Sequence, residues 1–336
     1  MKHFRSILLT ISIFLFISCS QTPQRTEYVL GTMCTINLFN QGTEKRYSHL
    51  FSRLHELDQI LSANTSTSNL AEINAQAGIA PVKAEPEVFD ILQTALEYSK
   101  KTEGAFDPTI GPLVKTWNIG FDNAVLPEQS AIEQALKLID YRNIELDFDR
   151  HTVFLRNRGM KLDFGAIAKG YAADELVALM TQMKIKRGII DLGGNIFAFG
   201  EKSSGKPWTV GIRDPFNDSS KPIASIQIRN KSVVTSGIYE RFLEQDGIQY
   251  HHILDTKNGY PVDNNLLSVS IISSSSTLAD TLSTSVFALG AEKGKALVES
   301  LPDTDAILIF KDYHIETTGN IAGSIEILSD DFHIIQ

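Results

Sequence analysis

The sequence predicts an α+β fold, and two observations along the chain indicate it. Patterns typical of helices are concentrated in the first half, whereas short apolar runs typical of strands dominate after a long helix predicted at residues 166–183. Helices clustered early and strands clustered later favour α+β over a regular alternation of the two. No Pro-, Ser- or Gly-rich linker long enough to separate domains occurs, and no repeat period is visible.

The composition is that of an ordinary globular protein. Of the 336 residues, 43% are hydrophobic and 21% are charged, and there are only 2 Cys. This composition excludes disordered, collagenous and multi-span membrane proteins, and two cysteines cannot form a disulfide framework or a four-sulfur zinc site. The formal net charge of −9 argues against nucleic acid as a partner, because binding to a phosphate backbone needs a basic surface.

The N-terminus has the three parts of an export signal. Basic Lys2 and Arg5 precede the apolar run Ile7–Ile17, and the small residue Ser18 follows it. The run is shorter than the ~20 apolar residues that a transmembrane helix needs. Cys19, directly after Leu15–Ser18, resembles the lipobox cysteine of bacterial lipoproteins, which becomes the diacylated first residue. The alternative is simple secretion, in which Cys19 is discarded.

These features predict the domain organisation. We expect a lipoprotein signal peptide at residues 1–18, a polar tether at 19–27 and one domain at 28–336. A lipid on Cys19 would hold the domain on the periplasmic side of a membrane, which we expect to be the inner membrane. The other cysteine, Cys34, lies in an alternating stretch, and we expect a buried core thiol there rather than a catalytic one.

Hydrophobic periodicity places the first elements in order. The first is a strand from Tyr28 to Phe39, and a helix with apolar residues at helical spacing follows up to Leu61. A polar loop separates it from a second helix, which Pro86 opens. The next predictions are a helix at Glu128–Leu138 and a hairpin formed by Ile144–Phe148 and Val153–Leu155.

The second half begins with a long helix from Ala166 to Met183. Two further helices are predicted from Thr277 to Leu289 and from Ala291 to Ser300. Short apolar runs predict strands at Ile189–Asp191, Ile196–Phe199, Trp208–Ile212, Ile223–Ile228, Ser268–Ile272 and Ala306–Phe310.

Gly200–Lys206 fits most of a phosphate-binding P-loop pattern. Pro207 stands where that loop needs Ser or Thr, and the next residues are typical of a strand, whereas a P-loop leads into a helix. We interpret the segment as a turn.

Several segments combine small residues, carboxylates and exposed backbone, unlike a plain core. They are Gly104–Pro112, Leu162–Tyr171, Asp191–Asn195, Thr235–Tyr239 with His251–Asp255, and Ala279–Thr284. In the second, a helix N-terminus favours phosphate and Lys169 adds a cation. In the last, Asp280, Ser283 and Thr284 share a helical face, and their oxygens suit a hard cation such as Mg²⁺. Each segment alone also fits a turn, a helix cap or a polar first turn.

Taken together and in order, these segments resemble the FAD:protein FMN transferase (ApbE) family of exported flavin-transfer lipoproteins. The matching stretches are Gly104–Pro112 with Trp117, Leu162–Asp174, Asp191–Asn195, Val234–Tyr239, His252–Pro261 and Ala279–Thr284. The resemblance spans Leu30 to about Gly290, which is nearly the whole predicted domain. It implies an antiparallel sheet flanked by helices, in two lobes with the flavin site between them.

The resemblance also implies an activity and a set of site residues. The family binds FAD as substrate and, with Mg²⁺ as cofactor, transfers FMN to a Thr or Ser hydroxyl of a target protein, releasing AMP. Asp280 and Thr284 match side-chain metal ligands, Ala166 matches a ligand through its carbonyl, and Ser283 is a weaker candidate. FAD contacts fall at Met33, Asn64, Ala105, Phe106, Asp107, Asp163, Lys169 and Leu254.

The attacking hydroxyl needs a base, and His252 is the candidate because imidazole titrates near neutral pH. Asp255 is the candidate to orient His252 or to contact the flavin. We expect the acceptors to be membrane redox subunits. Two alternatives stay open: Mg²⁺-dependent hydrolysis of FAD to FMN and AMP, and a lipid-anchored flavin-binding or metal-storage protein without turnover.

Overall fold

A computed structural model describes residues 24–216 and 221–335. The predicted signal peptide and Cys19 lie outside the described residues. Within these ranges eight α-helices, α1 to α8, occur at Glu44–Leu61, Asn69–Ala75, Pro86–Lys101, Gly111–Trp117, Gln129–Leu136, Ala168–Gln182, Ser276–Leu289 and Ala291–Glu299.

The described residues also form seventeen strands. Strands β1 to β9 are Arg25–Val29, Thr32–Asn37, Val82–Lys83, Ile144–Asp147, Thr152–Leu155, Arg187–Leu192, Asn195–Gly200, Trp208–Arg213 and Pro222–Ile228. Strands β10 to β17 are Lys231–Gly237, Phe242–Gln245, Ile248–His251, Leu266–Ser273, Thr304–Phe310, His314–Thr317, Ile325–Ile327 and His333–Ile334.

The main sheet has nine of these strands, in the order β1-β2-β6-β7-β10-β13-β14-β15-β17. Its neighbouring strands are antiparallel except for the parallel pair β15 and β17. Two three-stranded sheets, β16-β9-β8 and β3-β5-β4, and the two-stranded ribbon β11-β12 complete the strand pairing in the described ranges. The fold is therefore α+β, as the sequence predicts.

Alternating side chains of the main sheet bury its two faces against different layers. On one face, Ile190 belongs to the larger core, which also contains α1 residues such as Leu54. On the other face, Ile189 packs against the core of the β16-β9-β8 sheet. A third cluster, around Trp117 and Leu254, lies between α4, α5 and the β11-β12 ribbon. This cluster forms the core of a second, smaller lobe.

One predicted strand is wrong, because residues 28–39 do not form a single extended segment. Leu30 and Gly31 have φ values of 54° and 70°, so the chain reverses there and pairs Tyr28 with Met33 across a hairpin. The first strand already begins at Arg25, inside the segment that the sequence assigns to the tether. Cys34 is fully buried as predicted, and burial raises the pKa of its thiol to about 12.

The other predicted helices and strands are confirmed with shifted ends. The long predicted helix is α6, and the segment after β7 is a turn leading into β8, not a P-loop. The prediction missed α2, α4, β3, β10 to β12 and β15 to β17. In the described ranges, no helix has both the length and the apolar content needed to cross a bilayer.

Candidate functional site

Hydrogen bonds join loops from distant parts of the chain near the start of α6. The segment around residues 104–112 is joined to the segment just before α6, because the Asp163 N–H donates to the Pro108 carbonyl over 2.8 Å. The Thr256 hydroxyl donates to the Gly104 carbonyl over 2.7 Å, which joins the same segment to the chain after β12. Three of the segments singled out from the sequence therefore form one contiguous site.

Helices α6 and α7 touch at Gly170, and this contact positions Asp280. A Cβ atom on Gly170 would lie 2.3 Å from the Ser276 carbonyl oxygen and 2.7 Å from the Asp280 Cβ, so only glycine permits the approach. The Gly170 N–H donates to Asp280 Oδ2 over 2.8 Å, and Lys169 Nζ lies 3.8 Å from Asp280 Oδ1. The buried carboxylate is thereby held against the first turn of α6.

Asp174 holds the same two helices together one turn further along α6. Its carboxylate accepts hydrogen bonds from the N–H groups of Ser276 and Thr277 at 2.8 and 2.9 Å, and from the Thr277 hydroxyl at 2.7 Å. A carboxylate at a helix N-terminus satisfies donors that have no partner within the helix. Asp174 therefore fixes where α7 begins and, with it, where Asp280 lies one turn later.

The oxygen atoms around this contact are suitable ligands for a hard cation. The Ala166 carbonyl lies just before α6, and no described residue donates a hydrogen bond to it; the Gly170 N–H, in the first turn of α6, donates to Asp280. Asp280, Thr284 and the free Ala166 carbonyl then offer one carboxylate, one hydroxyl and one backbone oxygen. The described residues contain no cluster of three or more His, Cys, Asp or Glu, so a metal here would depend on such mixed oxygens.

Ser283 is more deeply buried than Thr284, which is half-buried and whose hydroxyl also lies 3.3 Å from Ser236 Oγ. The Ser283 hydroxyl is fully buried, donates to the Asp280 carbonyl over 2.9 Å and lies 2.8 Å from Ser236 Oγ. These contacts pack α7 against β10, and they direct the hydroxyl into the interior. We therefore keep Asp280, Thr284 and Ala166 as the donor set.

Lys169 and Asp163 lie where the predicted phosphate site begins. Lys169 Nζ donates to the Gly165 carbonyl over 3.2 Å, and Asp163 Oδ1 accepts from the Gly165 N–H over 2.8 Å. Burial raises the pKa of the Asp163 carboxyl, and the Gly165 N–H and the charge of Lys169 oppose that rise. The segment is thus a tight, charged turn at the N-terminus of α6.

Three predicted FAD contacts have their side chains in the protein interior. Asp107 accepts from the Thr109 N–H, the Thr109 hydroxyl and the Tyr141 N–H at 2.8, 2.6 and 2.9 Å, so its carboxylate organises the loop. Phe106 and Leu254 are 5% exposed and belong to the apolar clusters. Contacts of these residues with a substrate would therefore go mainly through their backbone, as would a contact with the neighbouring Ala105.

Met33 and Asn64 lie on the surface. Met33 is 56% exposed on β2, next to the turn after β6, where Thr32 packs against Gly193. Asn64 is exposed in the loop after α1, and its one described hydrogen bond runs from its N–H to Ser62 Oγ. The hydrogen bonds of the described residues do not connect Asn64 with the other predicted site residues.

His252 directly follows β12 and is held by the residue opposite it. The Arg241 carbonyl accepts from the His252 N–H over 3.1 Å and lies 3.1 Å from Nδ1. Because a carbonyl only accepts, Nδ1 carries the proton and Nε2 keeps its lone pair. Burial lowers the pKa of His252 to about 4, and the charges of Arg241 and Lys169 act in the same direction. The ring is therefore neutral at pH 7 and has a free acceptor nitrogen.

Of the two roles suggested for Asp255, the structure does not support the orientation of His252, and a contact with the flavin stays a prediction. The Asp255 carboxylate accepts from the Lys257 N–H over 2.7 Å and from the Asn258 side-chain amide over 3.2 Å, which closes its own turn. The orienting group is the Arg241 carbonyl instead.

Sequence reasoning also missed two charged residues, Glu240 and Arg241. Glu240 is exposed, but partial desolvation by its surroundings raises the pKa of its carboxyl, and the nearby cations Lys169 and Arg241 limit the rise. The sequence signal that could have identified them is their position, because they directly follow the small-residue segment at 234–239. They also directly precede β11, which pairs with β12. We call Asp163, Lys169, Arg241 and Asp280, together with the neutral His252 between them in the chain, the charged cluster.

Comparison with known proteins gives a consistent result along the whole domain. A family model described as the ApbE family matches residues 30–308. An FAD:protein FMN transferase of Treponema pallidum (strain Nichols) is 41% identical over 325 residues, covering 92% of this chain and 90% of the relative. One of Klebsiella pneumoniae (strain 342) is 40% identical over 287 residues, covering 85% and 89%. The crystal structure of the ApbE protein of Thermotoga maritima has a TM-score of 0.81 at 29% identity and covers 90% of this chain and 98% of that one.

Proposed function

The chain belongs to the ApbE family, and we propose on this basis that it transfers FMN from FAD to a Thr or Ser hydroxyl of an acceptor protein, releasing AMP. The observation that carries the proposal is the charged cluster. In this cluster the neutral His252 imidazole has a free Nε2, and the Asp280 carboxylate is held against the start of α6. Lys169 Nζ lies 3.8 Å from Asp280 Oδ1, and its charge also lowers the pKa of His252. A flavin store without turnover would not require such a base.

The residues of the cluster divide the work of the reaction. His252 Nε2 accepts the proton of the acceptor hydroxyl, whose oxygen forms a bond to the phosphorus of the FMN half. The bond from that phosphorus to the bridging oxygen breaks, and AMP departs with the electron pair. Lys169 and the N-terminus of α6 offset the negative charge that develops on the phosphate oxygens.

Mg²⁺ fits the oxygen donors at the contact of α6 and α7. The Asp280 carboxylate, the Thr284 hydroxyl and the Ala166 carbonyl would hold it, which leaves positions for phosphate oxygens and water. When bound, the ion would polarise the diphosphate and neutralise charge on it. The feature that supports this assignment is the Asp280 carboxylate, which is buried at the contact of α6 and α7 and held there by the Gly170 N–H.

The transfer is tested with purified protein, FAD, Mg²⁺ and exported proteins of the same organism. We expect a fluorescent band on a denaturing gel and a mass increase equal to FMN on a Thr or Ser of the acceptor. AMP should appear in equal amount, because each transfer releases one molecule. Omitting Mg²⁺ should remove both products.

The other functions give different results in the same experiment. AMP and free FMN without a labelled protein would indicate that water replaces the hydroxyl as acceptor. FAD binding with neither AMP nor label would indicate a flavin-binding lipoprotein without turnover. Either result would overturn the transferase proposal.

We propose that Cys19 carries a lipid that holds the enzyme on the periplasmic side of the inner membrane, where it meets membrane redox subunits. The start of β1 at Arg25 supports a short tether, because the segment from Cys19 to Arg25 spans at most about 20 Å when extended.

Replacing Cys19 by Ser tests this location. We expect Cys19→Ser to lose incorporation of labelled palmitate and to leave the membrane fraction, while the purified domain keeps its activity, because Cys19 is none of the predicted FAD, metal or catalytic residues. Cys34→Ser serves as the matched control, and the lipid label should persist in it. A labelled, membrane-bound Cys19→Ser protein would contradict the anchor.

A further inference from the structure

We infer that the Arg241 guanidinium binds the phosphate of the FMN half of the substrate, an assignment that rests on the proposed function. The first observation is its position. Phe242 pairs with His251 in the β11-β12 ribbon, so Arg241 lies directly opposite His252 at the open end of that ribbon. Its carbonyl fixes the imidazole, and residues paired in this way point their side chains to the same side of the ribbon.

The second observation is the path of the side chain. A Cβ atom on Gly120 would lie 3.2 Å from Arg241 Cδ, and Gly120 has a φ of +91°. Because Gly120 has no side chain, the aliphatic part of Arg241 has room to pass next to it. The arginine stem therefore packs against the loop that follows α4.

The third observation is that this guanidinium is exposed and unpaired. No described residue accepts a hydrogen bond from it or forms an ion pair with it. Lys169, in contrast, is already bonded to the Gly165 carbonyl and lies near Asp280. Yet Arg241 is close enough to Asp163, Glu240 and His252 for its charge to act on all three. Arg241 is therefore a cation near the site residues whose guanidinium N–H groups are available to a ligand.

The chemistry of the substrate identifies the ligand of these donors. FAD brings a diphosphate to a chain with a formal charge of −9, so its anionic oxygens need cations at the site. A guanidinium presents paired donors that match two phosphate oxygens. Because Arg241 is opposite the base, the phosphate within its reach is the one that the acceptor hydroxyl attacks. Asp280, at the contact of α6 and α7, belongs to the metal side.

Flavin binding without Mg²⁺ and without acceptor tests the assignment. In Arg241→Gln we expect the Kd for FAD and for FMN to rise about 10- to 100-fold, because a charged, two-pronged hydrogen bond to phosphate is lost. The Kd for riboflavin, which has no phosphate, should stay unchanged. Arg241→Lys keeps the charge but not the paired donors, so its Kd values should fall in between.

Arg229→Gln is the matched control, because Arg229 is also exposed but is paired with Glu201 away from the site. It should bind all three flavins like the wild type. Unchanged FMN and FAD affinities in Arg241→Gln, or an equal loss for riboflavin, would overturn the assignment. The binding experiment measures no turnover, so it tests the Arg241 assignment independently of the transfer reaction. If the wild type failed to transfer FMN, that would contradict the proposed function but not the phosphate contact of Arg241.

Discussion

Replacing Asp280 by Ala is expected to abolish transfer and to weaken the Mg²⁺-dependent part of FAD binding. Asp280 supplies the one carboxylate of the proposed donor set, and a metal ion contributes several kcal/mol to stabilising charge on a phosphoryl group. Because each 1.4 kcal/mol is about tenfold in rate, we expect a loss of at least about 1000-fold, which leaves no detectable transfer in the gel assay. Transfer rates with Mg²⁺ and FAD titrations with and without it would measure both effects.

A second variant separates the metal site from the fold. Asp280→Ala also leaves the buried Gly170 N–H without its acceptor, which costs about 1–3 kcal/mol of unfolding free energy. Asp280→Asn keeps an oxygen for that N–H but removes the negative charge. The free energy of unfolding of Asp280→Asn should stay close to that of the wild type. Its FAD binding should nevertheless no longer increase with Mg²⁺. Full activity in either variant would remove Asp280 from the metal site.

The fold class and most elements could be predicted because their signals are local. The apolar spacing in α1 and the alternation in β8 specify one buried face each. The turn at residues 30–31 gave no such signal, because its first residue is Leu in a left-handed conformation, which a leucine seldom adopts. The strand β10 was missed because its hydroxyl residues are buried by pairing with β7 and β13, a long-range effect.

The site could be predicted in its parts but not in its connections. Asp280 and Lys169 stand out as a carboxylate in a polar turn and a cation at a helix start. That they meet depends on Gly170 and Asp174, which bring together helices about a hundred residues apart in the chain. Arg241 has no local pattern, and only the register of the β11-β12 ribbon places it beside His252.

Ser283 shows the opposite limit of sequence reasoning. The helical spacing correctly places it on the same side of α7 as Asp280 and Thr284. The spacing does not specify how far that face is covered, and here β10 covers Ser283 completely through Ser236. Periodicity predicts directions on a helix, whereas the tertiary contacts decide which of those directions reach the site.

Replacing His252 by Ala is expected to lower the transfer rate by about 10²- to 10⁴-fold, the usual contribution of a positioned base, while FAD remains bound. The burial that lowers the pKa of His252 to about 4 keeps the ring unprotonated through the neutral range. In the wild type the rate should therefore fall only as the pH drops towards that value, where protonation occupies Nε2. This acid decline should be absent from the residual activity of His252→Ala.

The same variant distinguishes a base from a packing residue. Free imidazole should restore part of the transfer in His252→Ala, because it can occupy the vacated space and accept the proton. Exposed His49 provides the control: His49→Ala should keep the wild-type rate and pH profile. Normal turnover in His252→Ala would refute the base assignment. Loss of FAD binding in that variant would assign His252 to the substrate pocket instead, and the proton would then need another acceptor among the residues around Arg241.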